Sequence, residues 1–407
     1  MPAPRTPRLL RAALVAAALL APACGGPEPA PPPARTPTLD RAGVRALREW
    51  VLAAHELRLI GEAGGGAPAE RLEELEATRA RARRELQRQL VADGADPDRA
   101  ADEAQLLPLA HEAARAGGRY AFLLGDDPAS FALVRVEREE PLRSVRLFGL
   151  PFSYRLLVHD ETLVPDYPAW RAERAGTPLV RPATWSGDGT VRVDLAAIER
   201  LGEEQFLPQV EALRAAAAQA ADPQAFRAGA GEARLPELLG LARAALRWRS
   251  LEQLWSTLSA RPRAEQLQGF VADYARRAEL RAACELRELR RLRPGSEDAQ
   301  RELRPLSPAE AVQLQELGAL SAMLHGEPLG ATADLLALAG LALQASQPGA
   351  GAPALEAARR LVAELAAGLR EGPPSVEGDA LALWRLANAN PAALRELARP
   401  LHAARVP

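Results

Sequence analysis

Between Arg281 and Gly295 the chain reads RAACELRELRRLRPG, which sets Cys284, Glu285 and Glu288 within about one helical turn of each other. Thiolates and carboxylates both ligate metals, and a carboxylate beside a metal-bound water serves as a general base. On a helix from Glu265 to Leu292, at about 100° per residue, Leu267, Val271, Tyr274, Ala278, Leu289 and Leu292 share one face. Glu285 falls near the centre of that face, flanked by Arg281 and Glu288. A carboxylate in an apolar stripe has two explanations: it pairs with Arg281 one turn earlier, or it does chemistry. In the following helix, LQELGALSAML places Glu316 among small and apolar neighbours.

Other chemistries leave less trace. The five histidines are His55, His111, His159, His325 and His402, and none pairs with another at the i, i+4 spacing of a helical metal site. His55-Glu56 and His111-Glu112 begin an H-E-x-x-H pattern, but Leu59 and Arg115 stand where its second histidine belongs. His55 shares a helix face with Val44 and Val51, which predicts a hydrogen-bonded core histidine rather than a ligand. There is no G-x-S-x-G elbow and no G-x-G-x-x-G after a strand. A phosphate loop of the G-x-x-x-x-G-K-[ST] type cannot exist, because the chain contains no lysine.

The order of the two acidic helices, over residues 265–325, resembles that of gluzincin-like metallopeptidases. The resemblance implies Glu285 at the general-base position, Cys284 and Glu288 where two histidine ligands would lie, and Glu316 as a third ligand. Both histidines are replaced, so the resemblance describes a degenerate zincin-like peptidase.

The amino terminus reads as an address. Arg5, Arg8 and Arg11 precede the uncharged run Ala12 to Ala21, which is followed by Ala21-Pro22-Ala23. These are the basic, apolar and cleavage regions of a secretory signal peptide, and the run is shorter than the ~20 residues needed to span a bilayer. Cys24 comes next, and LLAPACGG resembles the lipobox of bacterial lipoproteins, in which the cysteine is lipidated and becomes the new terminus. Ala23 fits the pattern, whereas Ala21 replaces the usual leucine and Pro22 is atypical. Ordinary signal peptidase cutting at the same bond, giving a secreted protein, is the alternative. GGPEPAPPPARTPT, Gly25 to Thr38, favours extended polyproline II and would act as a spacer. By the lipoprotein resemblance, Gly25 in place of Asp implies no retention at the inner membrane, so the periplasmic face of the outer membrane is the expected location.

Composition agrees with a folded body. The 407 residues are 48% apolar and 26% charged, enough for a sizeable core in about two to three domains. All 51 basic residues are arginine, they alternate with acids, and the net charge is −2, so no broad basic patch offers itself to nucleic acid. With Cys24 assigned to lipid, only Cys284 remains, and no internal disulfide can form.

The elements that must position these residues are mostly helices. The organisation expected is a signal peptide (1–23), a Pro-rich tether (24–38), a helical region (39–118), a β-containing region (119–194) and a second helical region (195–407). Pro68 and Pro97 open helices in the first helical region, and Gly94 and Gly117-Gly118 end them. In the β region RYAFLL, SFALVRVE, SVRLFG and YRLLVH read as separate strands broken by Asp126-Asp127-Pro128, Pro141 and Pro151. Gly187-Asp188-Gly189 reads as a turn, and Asp194 as the cap of the next helix. Ser307-Pro308-Ala309-Glu310 carries every part of a capping box, and Asn390-Pro391 supplies cap and proline again. Trp248 and Trp255 share a helix face as core anchors or as a partner-binding stripe, and Arg287, Arg290, Arg291 and Arg293 either satisfy a helix end or form a patch for acidic lipid heads.

The expected fold is therefore α+β and predominantly α-helical, a helical body around a small antiparallel β-containing segment. The expected function is that of an exported, membrane-tethered envelope protein, structural or interacting, with neither cofactor nor catalytic centre. Its partners would be the membrane, through lipid on Cys24, and an envelope protein. The degenerate peptidase and a periplasmic carrier of a small ligand are the alternatives.

Overall fold

In the computed structural model, residues 37–64, 66–124, 131–174, 183–185, 189–227, 235–293, 306–344, 353–371 and 375–406 are described. The signal peptide, Cys24, most of the tether and Asp188 lie outside them. Asp40 starts helix α1 (Arg41–Glu62) by accepting from the Gly43 N–H at 2.7 Å. Pro68 precedes α2 (Ala69–Ala92), and α3 (Pro97–Ala101) and α4 (Glu103–Gly117) follow, the last ended by Gly118 at φ 65°. Leu47, Trp50, Leu86, Leu90, Leu106 and Leu109 form the core between these helices. His55 is buried there with Nε2 3.1 Å from the Pro165 carbonyl, as its helix face predicts.

The fold is α+β and predominantly helical, with one five-stranded sheet in the order β1-β2-β3-β5-β4. Its strands are β1 (Tyr120–Leu124), β2 (Phe131–Leu147), β3 (Leu150–Val164), β4 (Ala183–Trp185) and β5 (Thr190–Asp194). Two of the expected breaks do not occur. Pro141 lies inside β2, where a register shift between Glu140 and Arg143 accommodates the missing N–H, so SFALVRVE and SVRLFG belong to one strand. Pro151 lies inside β3, and the chain reverses one step earlier, at Phe148 and Gly149 with φ of 54° and 76°. Two successive left-handed residues make the tight turn that a twisted hairpin favours, and Leu147 pairs with Leu150 across it. The sheet is mixed rather than purely antiparallel. Its β3–β5 pairing is parallel, because α5 (Tyr167–Arg174) and β4 return the chain to the same end of the sheet before β5 begins.

Asp194 caps α6 (Leu195–Arg200) through the Ala197 N–H at 2.9 Å. The chain continues through a π-helical turn (Leu201–Phe206) and a short 3₁₀ turn into α7 (Val210–Ala221) and α8 (Pro223–Arg227). Then come α9 (Leu235–Leu258), α10 (Arg263–Leu292), α11 (Pro308–His325), α12 (Pro328–Gln344), α13 (Pro353–Leu369), α14 (Val376–Asn388) and α15 (Pro391–Ala403). Both parts of the Ser307–Glu310 capping box are made, and Asn390 accepts from the Ala393 N–H. Pro236 sits at the second position of α9, where a missing N–H costs nothing. Leu320, Met323, Leu336, Leu361, Leu365 and Leu386 fill the core of α11 to α14. A third core, with Phe206, Phe270 and Leu286, lies between α10 and the sheet. Among the described residues no helix is long and apolar enough to cross a membrane.

Candidate functional site

Helix α10 lies against the sheet on one side and α11 on another, so its acidic residues meet different surroundings. Gly318 of α11 permits the close approach, since a Cβ there would run into the side chain of Glu285. Glu285 itself is 16% exposed and lies 3.7 Å from Arg281, whose Nη1 also reaches Asp334 of α12 at 2.6 Å. The acid fully removed from solvent is Glu288, one turn further on. A single-faced wheel centres on Glu285 because it assumes one partner surface, and α10 has two.

Glu288 is held by donors from three helices. Its Oε1 accepts from Ser321 Oγ and from Arg287 Nη1, both at 2.7 Å, and Oε2 lies 3.4 Å from Arg291 Nη1. His402 of α15 places Nε2 3.1 Å from Ser321 Oγ and 3.5 Å from Glu288 Oε1. Burial alone would raise the Glu288 pKa. Hydrogen bonds from His402 and Ser321, with the charges of His402 and Arg287, more than offset it and hold the carboxyl below its ordinary range.

Serine, histidine and glutamate in contact invite comparison with a nucleophilic triad. In a triad the serine gives its proton to the imidazole, and the acid holds the other ring nitrogen. Here Ser321 has one proton and donates it to Glu288, so toward His402 it acts as acceptor, and the acid lies beside the same nitrogen. The serine is not activated, and all three residues are buried. The cluster is a satisfied internal charge network.

The tip of the β2–β3 hairpin enters this network from outside. The Phe148 ring has its centroid 3.5 Å from that of His325 and 5.1 Å from that of His402, with the Arg287 guanidinium 3.9 Å from its centre. The Phe148 N–H donates to His325 Nδ1 at 3.3 Å. His325 Nε2 is buried without a hydrogen-bond partner. Burial, followed by the charge of Arg287, brings the His325 pKa down to about 4. Further along the hairpin, Glu279 of α10 accepts from Tyr154 Oη at 2.6 Å and Arg143 Nε at 2.9 Å, which fastens its middle.

The proposed ligand set of Cys284, Glu285, Glu288 and Glu316 does not converge. Cys284 is buried, and burial, then Glu288 and Glu285, push its thiol up to about 12, so it is protonated at neutral pH. Glu316 Oε2 accepts from Arg405 Nε at 2.6 Å, and Arg405 Nη2 reaches both oxygens of Glu364 at 2.7 Å. Among the described residues no group of three or more His, Cys, Asp or Glu is arranged to hold a metal ion. The carboxylates are drawn apart because each has its own basic partner. The basic tail is likewise turned inward, Arg287 and Arg291 to Glu288, Arg290 to the Ser153 carbonyl and Arg293 to Glu310. Trp248 is buried in the core, and Trp255 packs against Phe206 at its edge.

Sequence reasoning missed Phe148, Ser321, His325 and His402 as neighbours, since packing of α11, α15 and the hairpin brings them together. The available signal was Phe148-Gly149 between two strand patterns. A separate half-open cavity of about 270 Å³ is lined by Pro308, Ala309, Val312, Gln313, Glu316 and Arg360, and Glu316 Oε1, itself shut off from solvent, has no hydrogen-bond partner. No known protein family, curated protein or solved structure matches the chain.

Proposed function

We propose that the chain is exported, anchored by lipid on Cys24, and acts as a non-catalytic structural or interaction protein of the cell envelope, at the periplasmic face of the outer membrane. The anchor rests on the sequence from Arg5 to Cys24 and on the Pro-rich spacer that follows. The non-catalytic reading is carried by Glu288, a fully buried carboxylate whose donors are all internal. Removing such a charge from water is tolerated when every partner is in place, which gives it a structural task. In the rival reading, a degenerate zincin-like peptidase, Cys284, Glu285, Glu288 and Glu316 would face one point, and the separate arginine partners of the three glutamates speak against it.

Two measurements test this. Intact mass of the membrane-extracted protein should carry a lipid increment that Cys24→Ala abolishes. Zinc dialysis should leave the melting temperature of wild type, Cys284→Ala and Glu316→Ala unchanged. Stoichiometric zinc that raises the melting point of wild type alone would put the degenerate peptidase in first place.

A carrier reading draws on the cavity beside Glu316. Its walls combine Pro308, Ala309 and Val312 with Gln313, Glu316 and Arg360, which suits a small ligand carrying both charges, and calorimetric titration with free amino acids, compared with Glu316→Gln, tests it.

A further inference from the structure

We propose that the Phe148 turn is an acid-released latch: neutral His325 holds the tip of the β2–β3 hairpin on the helical body, and protonation of His325 in mildly acid medium frees it. The geometry dictates the chemistry. Phe148 donates its backbone N–H to His325 Nδ1, so that nitrogen must be unprotonated while the latch is closed. A proton placed there turns the acceptor into a donor aimed at another donor. The strand ladder closes the turn, but Phe148 holds φ at 54° without being a glycine, so contacts around its ring help to hold that conformation.

The charges around the ring favour release. Arg287 and Glu288 face His325 from α10, and Arg395 and His402 from α15. Glu288, the one acid in this set, is already engaged by Ser321, Arg287 and Arg291, and it stays ionised through the mildly acid range. An imidazolium would therefore join Arg287 and Arg395 in a half-buried pocket. The ring titrates near 4 when latched and near 6.5 when freed, so protons favour the open tip as pH falls from about 6.5 toward 4. Allowing for solvent screening at a half-buried ring, the shift in the opening equilibrium from pH 7 to pH 5 is about tenfold.

Release has a structural product. Leu147 is fully buried and pairs across the turn with Leu150, which is 64% exposed. A freed tip would present Leu147 and Phe148 beside the already exposed Leu150, an apolar surface enlarged in acid.

Hydrogen exchange of the full-length protein, read by mass spectrometry over residues 143–153 at pH 7 and pH 5, tests the latch. Rates are corrected for intrinsic chemistry and compared with Leu156 to Val158, which pair with β5. The tip should exchange about tenfold faster relative to that reference at pH 5. His325→Gln retains an acceptor that does not titrate, so its tip should stay protected at both pH values. His325→Leu removes the acceptor, so its tip should exchange fast at both. An unchanged ratio of tip to reference in wild type, or a pH response that persists in both variants, overturns the proposal.

Discussion

Ser321 gives its hydroxyl proton to Glu288 at 2.7 Å, and through that bond α11 is joined to the only fully buried carboxylate among the described residues. The arrangement is catalytic in composition and structural in direction.

Truncation of Glu288 should be among the most damaging single changes. Glu288→Ala leaves Ser321, His402 and Arg287 without their acceptor in the interior, a loss of about 3 to 5 kcal/mol. Glu288→Gln keeps the shape and removes the charge, for about 1 to 3 kcal/mol. Urea denaturation midpoints should rank wild type above Glu288→Gln above Glu288→Ala.

Gly318→Ala should destabilise by about 1 to 3 kcal/mol, since the added methyl meets the side chain of Glu285 where α10 and α11 touch. Adding Glu285→Ala makes room, so the double variant should melt higher than expected from the sum of the two single changes.

Acid should weaken the fold in two stages. His325 has a folded pKa of about 4, below its ordinary 6.5, so the stability it contributes is complete above pH 6.5 and is lost as pH falls toward 4. Glu288 is also held below its ordinary value, and its contribution goes at lower pH, as the carboxyl takes up its proton. A denaturation series from pH 7.5 to pH 3.5 should decline through both ranges, and His325→Gln should lessen the first, which His55, His111 and His159, also held below 6.5 by burial, share.

Cys284 should be silent toward a thiol reagent at pH 8, because the thiol is buried and its pKa is near 12. Unfolding in urea should expose one reactive thiol per lipidated chain. A second thiol, reactive before unfolding, would show that Cys24 carries no lipid.

Arg405→Ala should cost about 2 to 4 kcal/mol by stranding Glu316, which is 6% exposed, and Glu364. In a double-mutant cycle with Glu316→Ala, most of that loss should prove shared between the pair.

What the sequence disclosed was local chemistry. Asp194, Ser307 and Asn390 announce their helices because a cap and its N–H partners lie within three residues. Pro141 misleads because a bulge, invisible in composition, accommodates it. Glu285 and Arg281 were legible as a pair one turn apart. Glu288 was harder to place, because its partners Ser321 and His402 come from helices whose packing no local spacing encodes.

Among the described residues the β2–β3 hairpin joins two of the three cores and ends against two helices beside the third. Phe131, Leu133 and Val164 at its open end lie in the amino-terminal helical core, Tyr154, Leu156 and Val158 face α10, and Phe148 ends against α11 and α15. Its register shifts are gathered between Leu133 and Arg143, so that the bulges bend the hairpin between its base and a regularly paired tip. Leu39, where the spacer meets the body, bonds to Ala113 beside that base. The start of the described body and the tip thus sit at opposite ends of one long hairpin, with the bulges between them.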